Sequence, residues 1–277
     1  MFSAKILADS VNESGDRLVT FELNYPRFIH AELLTHRMFS RNSASSRAIP
    51  VEKMIRNVVE NPVIPIHWGA NQKGMQANEV LGEREAEACQ RLWLEQRDEA
   101  VKRVQQMMAQ GLHKQIANRL LEPWMWITVI CSTTSFEHFR RLRCHHAAEP
   151  HFQKLAYLMA EAYDGHVPTL VCDGGWHLPL FGFPGDEALE VMDRVRVSVG
   201  RCARVSYLTH DGQRDPAKDI DLFETLRSNG HWSPFEHAAF AQPGVGMIGN
   251  FNGWQQSRKM FQTEFVPDVA YTPAVVN

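Results

Sequence analysis

The chain has 277 residues, 44% of them hydrophobic, and carries a formal net charge of −3 at pH 7. A chain of this length and composition can bury a sizeable hydrophobic core, which excludes a disordered or fibrous protein. With an isoelectric point near 6.5 it has no global field for nucleic acid, so duplex binding over a broad basic surface is also excluded.

Neither a targeting segment nor a disulfide framework is expected. The N-terminal sequence MFSAKILADS lacks a charged region followed by an apolar one, and no uninterrupted apolar run approaches the length that spans a membrane. The five cysteines are odd in number, widely spaced and without a CxxC pair, which favours reduced thiols. We therefore expect a cytoplasmic protein without a membrane partner.

The first predicted elements are a β-hairpin and a short helix. AKILADS and RLVTFELNY alternate between apolar and polar residues as two strands do, with residues 12–16 as the turn. After Pro26, the apolar residues Phe28, Ile29 and Leu33 fall on one side of a helical pattern. The hairpin and helix lead directly into the most unusual stretch of the chain.

This stretch, THRMFSRNSASSR at residues 35–47, combines Arg37, Arg41 and Arg47 with four serines and contains no carboxylate. Hydroxyl and guanidinium groups on a loop that leaves a helix end are donors suited to a dianion such as phosphate. The alternative interpretations are a solvated loop or a disordered segment that contacts RNA. The apolar flanks on both sides favour an ordered anion site.

Helices and one buried strand follow. Apolar residues at helical spacing predict a long helix over residues 83–110, which Gly111 ends. A short helix then precedes WMWITVICS, a run typical of a buried strand. Thr134 and Glu137 fit a capping box for the helix TSFEHFRRLRCHH, and a second helix continues to Gly165.

The last third of the chain is less regular. TLVCDGGWHLPLFGFPGDEA is rich in Gly and Pro and predicts a long loop. We expect one domain over residues 1–277, with possible halves at 1–165 and 190–277 on either side of this loop. Beyond it, Asp215 as cap and Pro216 as first residue predict another helix.

Residues 35–47 resemble the signature of the flavin-dependent thymidylate synthases, which reads RHRxxSxNExSxR. Six of its eight specified positions match this chain. The matching residues are His36, Arg37, Ser40, Asn42, Ser45 and Arg47. At the other two positions, Thr35 replaces the first arginine and Ser43 replaces the glutamate.

The middle of the chain is similar to the same family. There, a strand, a small polar turn and a helix ending in a Leu-Arg pair contact the flavin and supply an arginine that polarises the pyrimidine. Leu142 and Arg143 match the pair, so the resemblance implies a catalytic role for Arg143 and flavin contacts at Ser132 and His138. Arg119 matches the family's arginine before a Leu-Pro pair, although this chain has Glu-Pro there.

Two more blocks of the family, ARVSY and GHWSPFEH, lie near the C-terminus. The resemblance implies that Ser206, Ser233 and Glu236 approach the flavin and that His231 lies on the folate side. In the family these blocks precede the signature, whereas here they follow it by more than 150 residues. The simplest explanation is a circular permutation, which requires chain ends that lie close together at the surface.

In a permuted chain, the C-terminal FNGWQQSRK stands where the family's sequence leads up to the signature. Gln255, Gln256 and Arg258 would then replace donors lost at Thr35. The substrate-binding residues implied in this way are Arg47, Ser45, Ser43, Arg119, Gln255 and Arg258. The cofactor-binding residues are His36, Arg37, Asn42, Ser132, His138, Ser206, His231, Ser233 and Glu236.

The family transfers a one-carbon unit from methylenetetrahydrofolate to C5 of dUMP and completes the methyl group with a hydride from FAD, which NADPH reduces. The resemblance therefore implies a homotetrameric dTMP-forming methyltransferase with sites between subunits. It also implies a mixed α/β (α+β) fold, with an antiparallel-rich sheet packed with long helices. The alternatives are flavin-dependent hydroxymethylation of dUMP or dCMP, and a non-enzymatic RNA-binding protein.

Two other patterns do not indicate sites. GVGMIG is a literal GxGxxG, but the chain ends 28 residues after Gly249, too soon for the rest of a dinucleotide-binding unit. Four histidines and a cysteine cluster between residues 138 and 151, yet their spacing fits no common zinc site. We therefore expect no metal.

Overall fold

The computed structural model describes residues 1–206 and 214–261. Within these residues the chain forms ten β-strands, eight α-helices and five short 3-10 helices. The strands are β1 (Ser3–Asn12), β2 (Arg17–Pro26), β3 (Ser40–Ser43), β4 (Trp126–Thr133), β5 (Thr169–Val171), β6 (Trp176–His177), β7 (Ala239–Ala241), β8 (Met247–Ile248), β9 (Phe251–Asn252) and β10 (Trp254–Gln256). The α-helices are α1 (His30–Leu34), α2 (Val51–Glu60), α3 (Glu83–Ala109), α4 (Lys114–Ala117), α5 (Phe136–Arg143), α6 (Pro150–Asp164), α7 (Val191–Ala203) and α8 (Pro216–Ser228). The 3-10 helices are Arg27–Ile29, Asn118–Trp124, Arg204–Ser206, Ser233–Glu236 and Ser257–Met260.

The main sheet has five strands in the order β3-β4-β2-β1-β5, antiparallel except where β1 and β5 run parallel. The mixed α/β, antiparallel-rich fold expected from the sequence is confirmed, as is the hairpin of β1 and β2. The side-chain oxygen of Asn12 closes the hairpin turn by accepting from the backbone N–H groups of Ser14 and Asp16. Gly15 has a φ of +84° in this turn, a left-handed conformation that glycine adopts without strain.

One face of this sheet carries the main hydrophobic core. Phe21 and Leu23 of β2 project from it, as the alternating sequence predicts, and both are fully buried. Helices α5 and α6, which confirm the two helices predicted after the buried strand, cover this face with side chains that include Phe139 and Phe152. Burying each such side chain stabilises the fold by roughly 1.5–3 kcal/mol. The core therefore fixes α5, and with it Arg143 at the end of α5, against the sheet.

A second core lies between α2, α3 and the segment before β4. Helix α3 confirms the predicted long helix, and Gly111 after it has a φ of +84°. The buried residues of α3 lie in its second half, whereas Leu92, one of the apolar residues in its first half, is exposed. The buried Asn118 donates to the carbonyl oxygens of Ser46 at 2.7 Å and Ile49 at 3.0 Å. This layer thus holds the turn that follows β3.

Helices α7 and α8 pack closely against each other. The predicted cap of α8 by Asp215 is confirmed. A Cβ atom at Gly200 of α7 would lie 2.3 Å from the carbonyl oxygen of Asp219 in α8, so glycine permits the approach. The fully buried Arg201 pairs with Asp186 at 2.6 Å and with Asp219 at 2.9 Å. Because removing one partner of a buried ion pair typically costs about 3–5 kcal/mol, this cluster holds α7 in place.

The Gly/Pro-rich segment that was predicted as a loop contributes two short strands, β5 and β6. β5 joins the edge of the main sheet, while β6 forms an antiparallel three-stranded sheet with β7 and β10. A small core that includes Leu18, Phe251 and Trp254 packs the second sheet against the start of β2. The C-terminal part of the chain therefore lies directly on the main sheet.

Five buried polar side chains join the two sheets, and we call Ser10, His177, Thr20, Ser132 and His237 the polar seam. Ser10 Oγ lies 2.9 Å from His177 Nδ1, and His177 Nε2 lies 2.8 Å from Thr20 Oγ1. Thr20 Oγ1 and Ser132 Oγ are 2.6 Å apart, and Ser132 Oγ is 2.8 Å from His237 Nδ1. Burial lowers the pKa of both histidines to about 3, so both are neutral at pH 7.

The capping box predicted at the start of α5 is wrong. The residue before the helix is Ser135, whose side chain makes no capping hydrogen bond. The hydroxyl of Thr134 instead accepts from the backbone N–H of Asn252 at 2.9 Å. The hydroxyl of Thr133 accepts from the backbone N–H of Ser135, also at 2.9 Å. The backbone of Asn252, far away in the sequence, thus donates to the hydroxyl oxygen that the local pattern predicted as the cap of the helix.

The GVGMIG stretch forms a turn and a hairpin of β8 and β9, in which Gly244, Gly246 and Gly249 have positive φ. In the part of the chain that the structure describes, no group of His, Cys, Asp and Glu is arranged to hold a metal ion. No helix among the described residues is both long enough and apolar enough to cross a membrane. The five cysteines, all of them described, are free thiols.

The neutral histidines of the polar seam should make the fold sensitive to acid. Unfolding returns the pKa of His177 and His237 from about 3 to about 6.5, so within this window the unfolded state binds protons that the folded state excludes. The free energy of unfolding should therefore fall as the pH falls from about 6.5 towards 3, by up to about 1.4 kcal/mol per pH unit for each histidine. Urea unfolding at pH 7, 6 and 5 measures this slope.

Matched variants identify the source of the slope. His237→Gln removes one of the two groups and should reduce the slope, besides lowering the free energy of unfolding at pH 7. His145→Gln changes an exposed histidine and should leave the slope as it is in the wild type. Equal slopes in wild type and His237→Gln would contradict the assignment.

Candidate active site

β3 carries the centre of the signature and forms an edge of the main sheet beside β4. The residues before it leave α1 in a tight loop that Arg41 holds in place. Arg41 Nη1 donates to the carbonyl oxygens of Leu33, Leu34 and His36 at 3.1, 3.0 and 3.0 Å. These include carbonyls at the end of a helix, which have no partner within the helix itself. Arg41 therefore shapes the loop, whereas the sequence pattern assigned it to an anion.

The two positions that depart from the signature make local contacts. Thr35 Oγ1 donates to the carbonyl oxygen of Glu32 at 2.7 Å. Ser43 Oγ lies 3.5 Å from His30 Nε2, at the limit of a hydrogen bond. Neither side chain carries a charge, so this side of the site differs in hydrogen-bond pattern from one built on arginine and glutamate.

A cleft of about 470 Å³ lies between the loop after α1 and helix α5, and we call it the α1–α5 cleft. Its lining residues are Thr35, His36, Arg37, Met38, Phe39, Ser135, His138, Phe139, Leu142 and Arg143. This set joins an apolar wall to two arginines and two histidines, and none of the described lining residues is a carboxylate. A cleft of this size and charge suits a small anionic molecule with an aromatic part.

His36 and Arg143 meet in this cleft. Arg143 Nε donates to His36 Nε2 at 2.9 Å, and the guanidinium carbon lies 4.8 Å from the centre of the Phe152 ring. Burial, with the neighbouring charges of Arg143, Arg41 and His138, lowers the pKa of His36 to about 4. His36 is therefore neutral at pH 7 and accepts through Nε2, with its proton on Nδ1.

The C-terminal part of the chain reaches the signature at Ser40 and Asn42. Ser233 Oγ donates to Asn42 Oδ1 at 3.2 Å, although 191 residues separate the two in the chain. Asn42 Nδ2 donates to the carbonyl oxygen of Cys202 at 2.8 Å. Gln256 Nε2 donates to Ser40 Oγ, also at 2.8 Å. The SPFEH block, the end of α7 and β10 thus converge on β3.

A second cavity, of about 280 Å³, opens where β3 ends, and its lining includes Ala44, Asn24 and Thr128. Ser45 and Arg47 follow Ala44 in the turn between β3 and α2, and Arg47 is exposed. The signature therefore runs between two cavities, with the α1–α5 cleft at its start and this cavity near its end.

Several residues implied by the resemblance line neither cavity. Arg258 and Glu236 form an ion pair with each other. Arg119 has an exposed side chain and lies 3.3 Å from Glu122. Gln255 is half-buried in β10, where it pairs with β7. Gln255 and Gln256 were both considered as replacement donors. The structure brings Gln256 to the signature and leaves Gln255 away from it.

Ser132 lies in the polar seam, fully buried. The resemblance implied a flavin contact there, but the hydroxyl is used to bridge Thr20 and His237. His231 is exposed at the surface beside the SPFEH block. Only part of ARVSY lies within the described residues. Ser206 ends a 3-10 helix, while the side chain of Ser206 and the whole of residue 207 lie outside the described part of the chain.

Two contributors to the site were not found from the sequence. Asn250 Nδ2 donates to Ser40 Oγ at 3.0 Å, from a turn whose position depends entirely on the hairpin of β8 and β9. No local pattern marks this residue. Phe152 of α6 is a buried core residue whose ring also packs against the Arg143 guanidinium.

The solved structures that resemble this fold include two of a UMP/dUMP methylase, PolB from Streptomyces cacaoi. The complex with 5-Br UMP has a TM-score of 0.48 and 14% sequence identity, and the match covers 60% of this chain and 89% of that one. The complex with 5-Br dUMP has a TM-score of 0.46 and 13% identity, covering 60% of this chain and 91% of that one. No curated protein matches the chain.

The family model that matches is that of the thymidylate synthase complementing proteins, Thy1. The match runs from residue 17 to residue 169, more than half of the chain, and spans the signature, the α1–α5 cleft and Arg143. The chain therefore belongs to the thymidylate synthase complementing proteins, the flavin-dependent thymidylate synthase family, and is an enzyme of this methyltransferase class.

Proposed function

We propose that this enzyme transfers a one-carbon unit from methylenetetrahydrofolate to C5 of dUMP and yields dTMP, with FAD as hydride carrier and NADPH as reductant. The observation that carries the proposal is the hydrogen bond of 3.2 Å between Ser233 of the SPFEH block and Asn42 of the signature. Two blocks that the family uses around the flavin are adjacent in space despite their distance in sequence. Membership of an enzyme family sets aside the alternative of a non-enzymatic RNA-binding protein.

The α1–α5 cleft supports FAD as the cofactor. A flavin cofactor joins a flat aromatic ring to a charged diphosphate, and the cleft joins an apolar wall at Phe39 to donors at Arg37 and His138, with no carboxylate among its described lining residues. When bound, FAD supplies the hydride that completes the methyl group. We assign Arg37 and His138 to its anionic part, and Asn42 and Ser233 to its hydrogen-bonding groups.

Arg143 is the residue we assign to catalysis. Uracil C5 is a weak nucleophile, so negative charge must be stabilised on the ring oxygens or N3 as the new bond forms. In the part of the chain that the structure describes, the only hydrogen bond of Arg143 is the one to His36 through Nε. Both terminal amino groups are therefore left for a ligand, in a cleft whose described lining holds no acid.

Ser45 and Arg47 are the proposed ligands of the nucleotide phosphate. Ser45 and Arg47 follow the end of β3, whereas Arg143 lies in the α1–α5 cleft, beside the loop that leads into the start of β3. The strand therefore separates the phosphate ligands from the residue that acts on the base. Arg47 is exposed, as is Arg119 on a neighbouring segment. We infer that one nucleotide takes its phosphate ligands and its base ligands from two copies of the chain, in a homo-oligomer whose subunit is one domain over residues 1–277.

Hydroxymethylation of dUMP or dCMP remains the second candidate because of Thr35 and Ser43. Their hydroxyls engage Glu32 and His30 and bring no charge to the substrate side. A site built on particular donors discriminates strongly against ligands that leave those donors unpaired, so altered donors favour an altered base or transferred group.

Product analysis tests the function directly. The protein is incubated with FAD, methylenetetrahydrofolate, NADPH and either dUMP or dCMP, and the nucleotides are weighed by mass spectrometry. We expect a methylated product from dUMP, and none when NADPH is omitted. A hydroxymethylated product, or turnover of dCMP alone, would favour the second candidate. A folded protein that neither carries nor takes up FAD would overturn both.

Arg143→Ala should remove most turnover while sparing flavin binding. The guanidinium is assigned to charge that develops in the transition state, and loss of one such donor typically lowers kcat about a hundredfold or more. Single-turnover kinetics measure the loss, and the flavin absorption spectrum measures cofactor binding. Arg141→Ala is the matched control, because it removes an exposed arginine from the same helix. Near-normal kcat in Arg143→Ala would refute the role.

Arg47→Ala should raise the Kd for the nucleotide about tenfold or more, because a charge-assisted hydrogen bond to phosphate contributes roughly 1.5–3 kcal/mol. Excess nucleotide should restore kcat. Calorimetric titration with dUMP measures the change, and Arg56→Ala in α2, which is also exposed, is the control. An unchanged Kd in Arg47→Ala would move the phosphate site elsewhere.

A further inference from the structure

Three phenylalanine rings surround His36 in the α1–α5 cleft. The ring centres of Phe39, Phe139 and Phe152 lie 5.7, 4.9 and 5.8 Å from the imidazole. The Phe152 ring also packs 4.8 Å from the guanidinium carbon of Arg143. All three phenylalanines are buried members of the main core, so both polar groups are held by rigid apolar surfaces.

The hydrogen bond between these groups has a fixed direction. Arg143 Nε donates to His36 Nε2 at 2.9 Å, because a guanidinium has no acceptor atom. The charges around the imidazole come from Arg143, Arg41 and His138, and all three oppose its protonation. The carboxyl of Glu32, which interacts with Arg143, has a raised pKa because it is partly buried and lies near Glu149. The pKa of His36 is about 4, so the acceptor persists throughout the neutral range.

A guanidinium presents one N–H on Nε and two on each terminal nitrogen. It binds a ligand either side-on, through Nε and one terminal nitrogen, or end-on, through both terminal nitrogens. With Nε given to His36, the end-on mode remains. An end-on fork matches two adjacent acceptors, such as a ring nitrogen and the neighbouring exocyclic oxygen of a pyrimidine that carries negative charge.

We infer that His36 is a positioning residue, which holds Arg143 as an end-on fork towards a pyrimidine edge with two adjacent acceptors. The inference rests on the proposed function, in which Arg143 acts on the nucleotide base. It differs from the flavin contact that the resemblance assigns to His36. The His36 imidazole acts through Arg143, and its loss leaves the guanidinium free to rotate about its own side chain.

Two substitutions separate these roles. His36→Phe keeps an aromatic ring for the three phenylalanines but removes the acceptor, while His36→Gln supplies a carbonyl oxygen as a substitute acceptor. We expect His36→Phe to lower kcat about a hundredfold, because misplacement of a catalytic group by about 1 Å costs this much. KM for the nucleotide and the flavin Kd should change only a few-fold, and His36→Gln should recover much of kcat. A normal kcat in His36→Phe, or a loss confined to flavin affinity, would overturn the inference.

Nitrogen-15 NMR of histidine-labelled protein tests the geometry without turnover. We expect the wild-type His36 signal, assigned by its absence in His36→Gln, to show a protonated Nδ1 and an unprotonated Nε2 at pH 7. Its titration should lie near pH 4 and move upward in Arg143→Leu, because a neighbouring positive charge is removed. A wild-type His36 protonated on Nε2 at pH 7 would overturn the inference, since that nitrogen then cannot accept.

The two readouts also separate this inference from the proposed function. If the wild type forms no methylated nucleotide but His36 shows the expected tautomer and titration, the proposed function is wrong and the hydrogen bond from Arg143 to His36 is confirmed. If the wild type forms dTMP and His36→Phe does so equally fast, the function stands and the positioning role fails.

Discussion

The hydrogen bonds of the polar seam are the constraint on which the arrangement of the site depends. Thr20 and Ser132 belong to the main sheet, whereas His177 and His237 come from the C-terminal part of the chain, and all four are buried. A buried polar group left without its partner costs roughly 1–3 kcal/mol, so a shift of one residue along this surface would be penalised at several groups together. Ser233 lies in the same short helical turn that leads to His237. The seam therefore sets the distance between the SPFEH block and the signature.

The fold could be predicted from the sequence where a periodic pattern is long. The ten-residue strands β1 and β2, the 27 residues of α3 and the 15 residues of α6 each repeat their pattern several times. β6, β7 and β10 have only two or three residues, too few for alternation to be recognised, and they are held by pairing between distant segments. The capping box at Thr134 failed for a related reason, because the backbone of Asn252 takes the hydroxyl. Local patterns do not show which distant group competes for a side chain.

The same limit governs the site. The resemblance implied roles for Arg143 and Asn42. The structure places Arg143 at the end of α5, where it contacts His36 in the loop before β3, and Asn42 in β3, where it contacts Ser233. The resemblance did not show that Ser132 would be used by the polar seam, since that requires His237 to lie above the sheet. The sequence also did not show which of the two adjacent glutamines of β10 would reach the signature. Neighbouring residues of a strand point to opposite faces, so the register of β10 alone decides that Gln256 contacts Ser40.

Chain order and spatial order are separate in this protein, and the physical reason lies in the docking contacts of the C-terminal part. The entropy cost of joining two segments grows only with the logarithm of the intervening length. The sequence separation of 191 between Asn42 and Ser233 therefore adds little to the cost of a shorter connection. Docking of the C-terminal part instead requires enough buried contact area to hold it on the main sheet, whichever end of the chain it is joined to. The fully buried Trp254 supplies part of this, and its Nε1 donates to the carbonyl oxygen of Asp16 at 2.9 Å. Asn12 Nδ2 donates to the carbonyl oxygen of Gly253 at 3.0 Å, which ties the same segment to the first hairpin turn. A circular permutation preserves such contacts because they depend on which surfaces meet and not on the order in which the chain visits them.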